Sequence, residues 1–329
     1  MLKIDSNKVI LIHHWDTDGL CSAALLLNYF KINNIKTWTP PLGTFYLTDD
    51  HIEMAKEFEN VIVCDMALPE SNIRKIAEES NVIVIDHHHQ DPIDVIKHIN
   101  PIAWGANTES YPSCTWVIKN ELELPTSLKV ILGIVGDREH KIKDNPPFWE
   151  LTRSYMKKEG VSFDELLELV YRIDSSYKIG EREAVMRIPH ILKEYKDPTD
   201  IIRNREWENN LKKLDEKLKK VLSEPPEFID GIQVKMLNTS YSIISQVTRK
   251  LAWDAAKDTI VVNTGFFDDQ DQFYSRSNTV DMHNLIERAQ KQGYNAGGKK
   301  DVLGAIIPKP DTGKFLLETI EYLKKKGSY

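Results

Sequence analysis

Three short runs of aliphatic, mostly β-branched residues, at 9–12, 61–64 and 82–85, show no polar alternation. A half-solvated strand reads apolar-polar-apolar, so runs like these belong to strands covered on both faces. Between them lie amphipathic stretches over 20–30, 52–59 and 69–80, which read as helices. The order is therefore β-α-β-α-β, and the expected fold class is α/β with a doubly wound, mostly parallel sheet. In such sheets ligands bind beyond the carboxyl ends of the strands, so the residues that follow each run are the ones to collect.

At 329 residues the chain is long enough to bury a large core and to divide in two. Residues 163–191 and 198–222 read as helices. Within them Trp207, Leu211, Leu214, Leu218 and Val221 recur at spacings of four and three, with Lys and Glu around them. So short a stripe cannot sustain a free coiled coil, so it reads first as a connecting helix packed on its own domains; a homo-oligomerisation stem is the alternative. Glu224-Pro225-Pro226-Glu227 ends it. A second, smaller α/β unit follows, with strands expected over 232–237, 259–266, 272–275 and 302–307 and helices over 243–256, 282–291 and 313–325. The expected division is 1–160, a helical connector over 161–225, and 226–329.

The net charge is −7, from 43 Lys and Arg against 50 Asp and Glu. Residues 226–329 hold 14 basic and 13 acidic residues, so the acidic excess lies upstream, where 29 basic face 37 acidic. A polyanion is repelled there unless bound cations offset the carboxylates. The cysteines, Cys21, Cys64 and Cys114, form no Cys-x-x-Cys pair and lie in or beside apolar stretches. They read as buried reduced thiols in a reducing compartment. No apolar run approaches the roughly 18 residues that span a bilayer, and Met1-Leu2-Lys3-Ile4-Asp5 does not open like a signal peptide. The expected location is cytoplasmic, without a membrane partner.

Four groups stand at the collected positions. His13-His14-Trp15-Asp16-Thr17-Asp18-Gly19 follows the first run, Asp65 the second, and Asp86-His87-His88-His89 the third. Residues 131–136 read as a further buried strand, and Asp137 follows them. A single Asp after a strand also describes a helix N-cap or a turn, and three adjacent histidines also describe a surface tract. Their coincidence at one sheet edge outweighs those readings. So many carboxylates cannot all ionise cheaply a few ångströms apart, and two divalent ions resolve the repulsion. Oxygen ligands with one or two imidazoles and no thiolate favour Mn²⁺ or Mg²⁺ over zinc. Two such ions about 3.5–4 Å apart can clamp an in-line phosphoryl displacement. Adjacent residues on an extended segment point to opposite sides, so one ion takes one member of a pair such as His13-His14 or His88-His89, and alternation alone leaves open whether His13 or His14 is the ligand.

Taken in order, His14-x-Asp16-x-Asp18-Gly19, Asp65, Asp86-His87-His88 and Gly136-Asp137 resemble the motifs of the DHH phosphoesterase superfamily. That group includes RecJ exonucleases, oligoribonucleases and cyclic-dinucleotide phosphodiesterases. The last hundred or so residues resemble its associated substrate-binding domain, through Ser275-Arg276-Ser277 and Asn295-Ala296-Gly297-Gly298-Lys299 followed by Leu303-Gly304-Ala305. One departure is Lys299, where many relatives carry His; another is Val302-Leu303-Gly304 in place of Ala-Ala-Gly. The resemblance implies a catalytic domain over 1–160 and a substrate-binding domain over 226–329. It implies two Mn²⁺ ions, or Mg²⁺ in their place, one on His14 and Asp16 and the other on Asp18 and His87. Asp65 and Asp137 are shared or complete the shells. His88 would touch the scissile phosphate and Asp86 would orient a neighbouring imidazole, so that His88, Asp86 and Asp137 form the catalytic set. Arg276, Ser277, Gly297, Gly298 and Lys299 would meet the substrate.

The residues of the second region support a phosphate contact on their own chemistry. Gly297-Gly298 admits close backbone approach, Lys299 and Lys300 bring charge, and Arg276 can grip a phosphate bidentately. A glycine turn between helix and strand is the alternative. Ser113-Cys114-Thr115, ahead of a helix near Trp116, reads either as a phosphate-binding helix start or as plain N-capping.

The leading expectation is a Mn²⁺-dependent, RecJ-like exonuclease on single-stranded DNA or RNA, with a helicase or other replication or repair protein as partner. The alternative keeps the chemistry on short oligoribonucleotides, cyclic dinucleotides or 3′-phosphoadenosine 5′-phosphate. Long strands need stacking aromatics, for which Phe267, Phe273, Tyr274 and Tyr294 are candidates and core packing the competing role. A non-catalytic scaffold of replication or repair machinery is the third reading, and the intact ligand set counts against it. Inorganic pyrophosphatases of this group have a different companion domain. Cleavage polarity and the choice between DNA and RNA do not follow from ligands that contact only phosphates.

Overall fold

The computed structural model describes residues 2, 4, 8–31 and 35–326. Its first sheet contains β1 (Val9–His13), β2 (Lys36–Trp38), β3 (Asn60–Cys64), β4 (Asn81–Ile85) and β5 (Lys97–Ile99), all parallel. β1, β3 and β4 are the three apolar runs, and every residue of β1 and β3 is buried. β2 and β5 have three residues each, too few and too polar to stand out as runs. The strand order is β2-β1-β3-β4-β5. The winding direction therefore reverses between β1 and β3, which makes the carboxyl edge of those two strands the switch point where ligands bind in doubly wound sheets.

The helices α1 (Thr17–Phe30), α2 (Asp49–Lys56), α3 (Glu70–Ala77), α4 (Cys114–Glu121), α5 (Leu128–Arg138) and α6 (Pro146–Glu159) follow the expected alternation, with one correction. Residues 131–136, expected as a strand, lie inside α5, whose residues from Leu128 to Val135 are all buried. A short, wholly buried apolar run carries no period, so strand and buried helix look alike in sequence. α7 (Phe163–Lys178), α8 (Arg182–Glu194), α9 (Pro198–Ile202) and α10 (Arg205–Ser223) come next. Phe163, Val170, Ile173, Val185, Leu192, Ile201 and Trp207 join the same core as the strands.

The chain forms two compact units, Met1–Tyr177 with Glu181–Leu211, and Lys178–Gly180 with Lys212–Tyr329. The segment read as a connector is thus divided between them. Trp207, Leu214 and Val221 of the stripe are buried within the chain, and Leu211 and Leu218 are partly buried.

In the second unit β6 (Glu227–Ile229), β7 (Ile232–Leu237), α11 (Ile244–Ala255), β8 (Thr259–Asn263), β9 (Gln270–Arg276), α12 (His283–Lys291), β10 (Asn295–Lys299), β11 (Val302–Pro308) and α13 (Lys309–Lys326) follow in order. Its sheet runs β10-β11-β9-β8-β7-β6, with only β7 and β8 paired in parallel. Phe273, Leu285, Leu303, Ile307 and Phe315 lie in its core. β10 holds Asn and two glycines, poor strand formers, and it forms by hairpin pairing to β11. Among the described residues no helix is long and apolar enough to cross a membrane.

Candidate metal centre

The ladder of the first sheet runs one residue past three strands. His14 N–H donates to the Cys64 carbonyl at 3.4 Å, Asp65 N–H to Ile85 at 3.0 Å, and Asp86 N–H to Ile99 at 3.0 Å. These bonds bring the three post-strand segments level at the sheet edge. The chain then turns sharply at β1, where Asp16 caps α1 by accepting from Gly19 N–H at 3.1 Å. A Cβ on Gly19 would lie 2.6 Å from the His14 Cβ, so glycine is what lets α1 start against the strand end. Asp65 leaves β3 with a φ of 58°, in the left-handed region. That conformation costs about 1 kcal/mol or more outside glycine and is among those retained where a side chain must be aimed.

Two sets of ligand atoms converge there. His14 Nδ1 lies 2.9 Å from Asp16 Oδ1 and 3.7 Å from Asp65 Oδ2. His87 Nε2 lies 3.0 Å from Asp137 Oδ2, 3.4 Å from Asp65 Oδ1 and 3.8 Å from Asp18 Oδ2. The other nitrogen of that ring, Nδ1, donates to the Tyr111 carbonyl at 3.2 Å, which turns the Nε2 lone pair toward the carboxylates. The atoms of His14, Asp16 and Asp65 fall within 4.8 Å of one another, as do those of Asp18, His87 and Asp137, and those of Asp65, Asp86, His87 and His88. His14 Nδ1, Asp65 Oδ1 and His87 Nε2 are buried and make no well-directed hydrogen bond, only the close contacts with one another and with neighbouring carboxylates given above. Unsatisfied buried atoms of this kind are expensive. An oxygen-rich set with imidazoles and no thiolate fits hard divalent cations.

The charge balance points the same way. Burial, reinforced by the Asp137 carboxylate, pushes the Asp18 carboxyl up to about 7. Burial and the Asp18 charge push Asp65 well above the carboxylate range. Burial would lower His87, yet the Asp137 and Asp65 carboxylates carry it up to about 12. Asp16, although burial raises it, is held below the ordinary range by His14 and the Gly19 N–H. Without cations the cluster keeps protons to limit its own repulsion.

Asp18 is held from outside as well. The N–H groups of Cys114 and Thr115, at the start of α4, donate to its two oxygens at 2.5 and 3.0 Å. Ser113 Oγ accepts from Trp116 N–H at 3.1 Å, so Ser113 is a plain N-cap and the free amides of α4 serve Asp18. Gly133 in α5 faces this contact: a Cβ there would meet Asp18 Oδ1 and come within 2.7 Å of Thr115 Cγ2. Asp86, wholly buried, accepts from His87 N–H and from His88 Nδ1, both at 2.8 Å. The His88 side chain is 47% exposed, so its other nitrogen reaches solvent. Burial lowers His88, but the Asp86 carboxylate leaves it raised. His13 is fully buried, with Nδ1 donating to the His14 carbonyl at 2.7 Å; burial lowers it to about 4. Of the two neighbours, His14 is the one brought to the cluster.

Two further features lay outside the sequence reading. Asp174 of α7, also buried, accepts from Thr17 N–H at 2.9 Å and from the Thr17 hydroxyl at 2.7 Å, between Asp16 and Asp18. A charged residue on the buried face formed by Leu166, Val170 and Ile173 was its sequence signal. Trp15 and Phe45 stand beside His14, with ring centroids 4.3 and 5.7 Å from the imidazole. Nothing in the sequence pairs residue 45 with residue 14.

The second-unit candidates each make contacts within their own unit. Arg276 Nη1 lies 2.9 Å from Asp301 Oδ2. Ser277 is buried, and its Oγ accepts from Thr279 and Val280 N–H, closing a local turn. Gly297, Gly298 and Lys299 form the edge strand β10, not a turn. Gly298 has a φ of 155°, and a Cβ there would strike the Val302 carbonyl, so the hairpin itself demands glycine. Phe273 is fully buried, Tyr294 packs edge-on to Phe315, and the Tyr274 ring covers Gly304.

Residues 8–135 match the family described as DHH family, N-terminal domain. Among solved structures, RecJ in complex with Mn²⁺ from Thermus thermophilus superposes with a TM-score of 0.67 at 16% identity, over 96% of this chain and 52% of that one. The chain thus spans about half the length of that RecJ. A pGpG-specific phosphodiesterase, PggH, from Vibrio matches with a TM-score of 0.52 at 14% identity, over 97% and 100% of the two chains. CDC45 from Entamoeba histolytica matches with a TM-score of 0.50 at 11% identity, over 94% of each. No curated protein matches the sequence. At these identities the structures share the fold.

Proposed function

The chain belongs to the DHH superfamily, carrying its N-terminal domain over residues 8–135 on a RecJ-like fold, and from that premise we propose that it is a two-metal phosphodiesterase acting on nucleic-acid ends. One observation carries this reading: two ligand groups, joined through Asp65, sit at the switch point between β1 and β3. His14, Asp16 and Asp65 would hold one cation, and Asp18, His87 and Asp137 the other. Mn²⁺ is the proposed ion and Mg²⁺ the substitute. When bound, such a pair supplies a nucleophile from water near neutral pH and charge stabilisation for displacement at phosphorus.

The protein's own groups do the positioning. Asp86 holds His88 through Nδ1, leaving Nε2 to donate to a phosphate oxygen. The Tyr111 carbonyl fixes the His87 ring, and the α4 amides fix Asp18. The three cysteines are free and buried, which fits a reducing, cytoplasmic setting.

RecJ-like cleavage of single-stranded DNA or RNA is the first reading of the substrate. A shorter one, such as a dinucleotide, is the second. It is favoured by Phe273, a stacking candidate that is buried in the core of the second unit, while Phe267, Tyr274 and Tyr294 stay partly exposed. End-labelled DNA and RNA of matched sequence, from dinucleotide to about 20 nucleotides, are digested with Mn²⁺. Cleavage lost in Asp16→Ala, Asp65→Ala and Asp137→Ala supports the mechanism, and the length profile decides the substrate. Full activity in any of the three would sink it.

A further inference from the structure

We propose that Phe45, braced by Trp15, is a stacking shelf for the nucleobase next to the phosphate bound at the metal cluster. The inference rests on the phosphodiesterase reading and adds what part of the substrate that site reads. Phe45 is 47% exposed, as is its neighbour Tyr46, while Trp15 behind it is 6% exposed. The Phe45 ring lies 4.9 Å from Trp15 and 5.7 Å from His14, so an apolar face opens beside a proposed metal ligand.

The loop that carries Phe45 is held at both ends. Arg182 Nε donates to the Thr39 and Pro40 carbonyls at 2.9 and 3.2 Å, and the buried Leu47 donates its N–H to Asn72 Oδ1 at 2.8 Å. Between these anchors Thr44 N–H closes a turn onto the Pro41 carbonyl at 3.0 Å, with Gly43 at a φ of 87°. About half of the phenyl surface stays in water on a loop that is already braced, and a preordered aromatic face costs a ligand little to use. Continuity with the metal cluster decides the occupant. A group that sits there while its phosphate lies at His14 and Asp16 is one sugar away from that phosphate, and every base offers a π-face to such a shelf. The shelf reads the presence of a base and is indifferent to its identity.

The test compares an oligonucleotide of natural bases with a chain of the same length built from abasic residues, both with Mn²⁺. Phe45→Ala is expected to lower kcat/KM on the natural strand by about tenfold, the size of one lost base–aromatic stack, and to leave the abasic chain's turnover unchanged. Phe45→Tyr restores the natural strand. An equal loss on both substrates, or none on either, would overturn the shelf while leaving the hydrolase reading intact. A wild-type protein that cleaves neither substrate would remove both.

Discussion

Asp174→Ala asks whether the start of α1, and with it two proposed ligands, is held by a residue outside the ligand set. The Asp174 carboxylate accepts from Thr17 N–H at 2.9 Å and from the Thr17 hydroxyl at 2.7 Å. Hydrogen bonds to a charged group contribute about 1.5–3 kcal/mol each. Truncation does not forfeit both. The hydroxyl keeps the Val170 carbonyl at 3.2 Å, but the Thr17 N–H is left unpaired in a buried place, so the expected loss of stability is about 2–4 kcal/mol. Thr17 stands between Asp16 and Asp18, so releasing it loosens both carboxylates. Groups that orient ligands without touching the ion typically change metal affinity by about 10–100-fold. Asp174→Asn keeps an acceptor oxygen and should recover most of both effects. Guanidinium unfolding in chelator measures the first and calorimetric titration of Mn²⁺ the second. If Asp174→Ala unfolds early yet binds Mn²⁺ like the wild type, Asp174 is only a structural cap. If Asp174→Asn is no better than Asp174→Ala, the hydrogen bonds to Thr17 are not what it supplies.

Mn²⁺ at a hundredfold excess over its Kd should stabilise the folded chain by about 2.7 kcal/mol, read as a higher unfolding midpoint. Asp65→Asn should abolish that gain, and an unchanged midpoint shift would remove Asp65 from the ligand set. Mn²⁺ affinity should rise between pH 6 and 8, because the raised carboxyls of Asp18 (about 7) and Asp65 hold protons that a cation must displace; a flat profile in calorimetry would contradict this. By the same sign, the metal-free fold keeps protons there that the unfolded chain has lost, so these two groups make its stability fall as pH rises through 7. Gly133→Ala should destabilise by about 1–3 kcal/mol through overpacking against Thr115 and Asp18, outweighing the gain of about 1 kcal/mol in helix propensity. Unchanged stability and Mn²⁺ binding would show that these neighbours give way.

The first sheet was legible because burial on both faces leaves a continuous apolar run, and the three longest strands each have one. β2, β5, β6 and β10 were not, since three residues of mixed polarity or a pair of glycines carry no pattern until a neighbouring strand supplies hydrogen bonds. Asp137 was collected for the wrong reason. It lies in the last turn of a helix whose buried run looks like a strand, and it reaches the cluster because that turn of α5 packs at the sheet edge. The substrate candidates Arg276, Ser277 and Gly298 are spoken for locally, by an ion pair, a turn and a hairpin, in ways that only the paired strands reveal.

The chain by itself determined which residue types arrive at the carboxyl edge, and hence a hard-cation chemistry, because strand ends and the residues after them are local features. The tertiary structure decided which side chains share an ion. It turned His14 toward the cluster and buried His13, aimed the amides of α4 at Asp18, set Asp174 under Thr17, and stood Phe45 beside His14. Each of these is a meeting of segments far apart in sequence. Local periodicity records that a face is buried, and only the packed fold records what buries it.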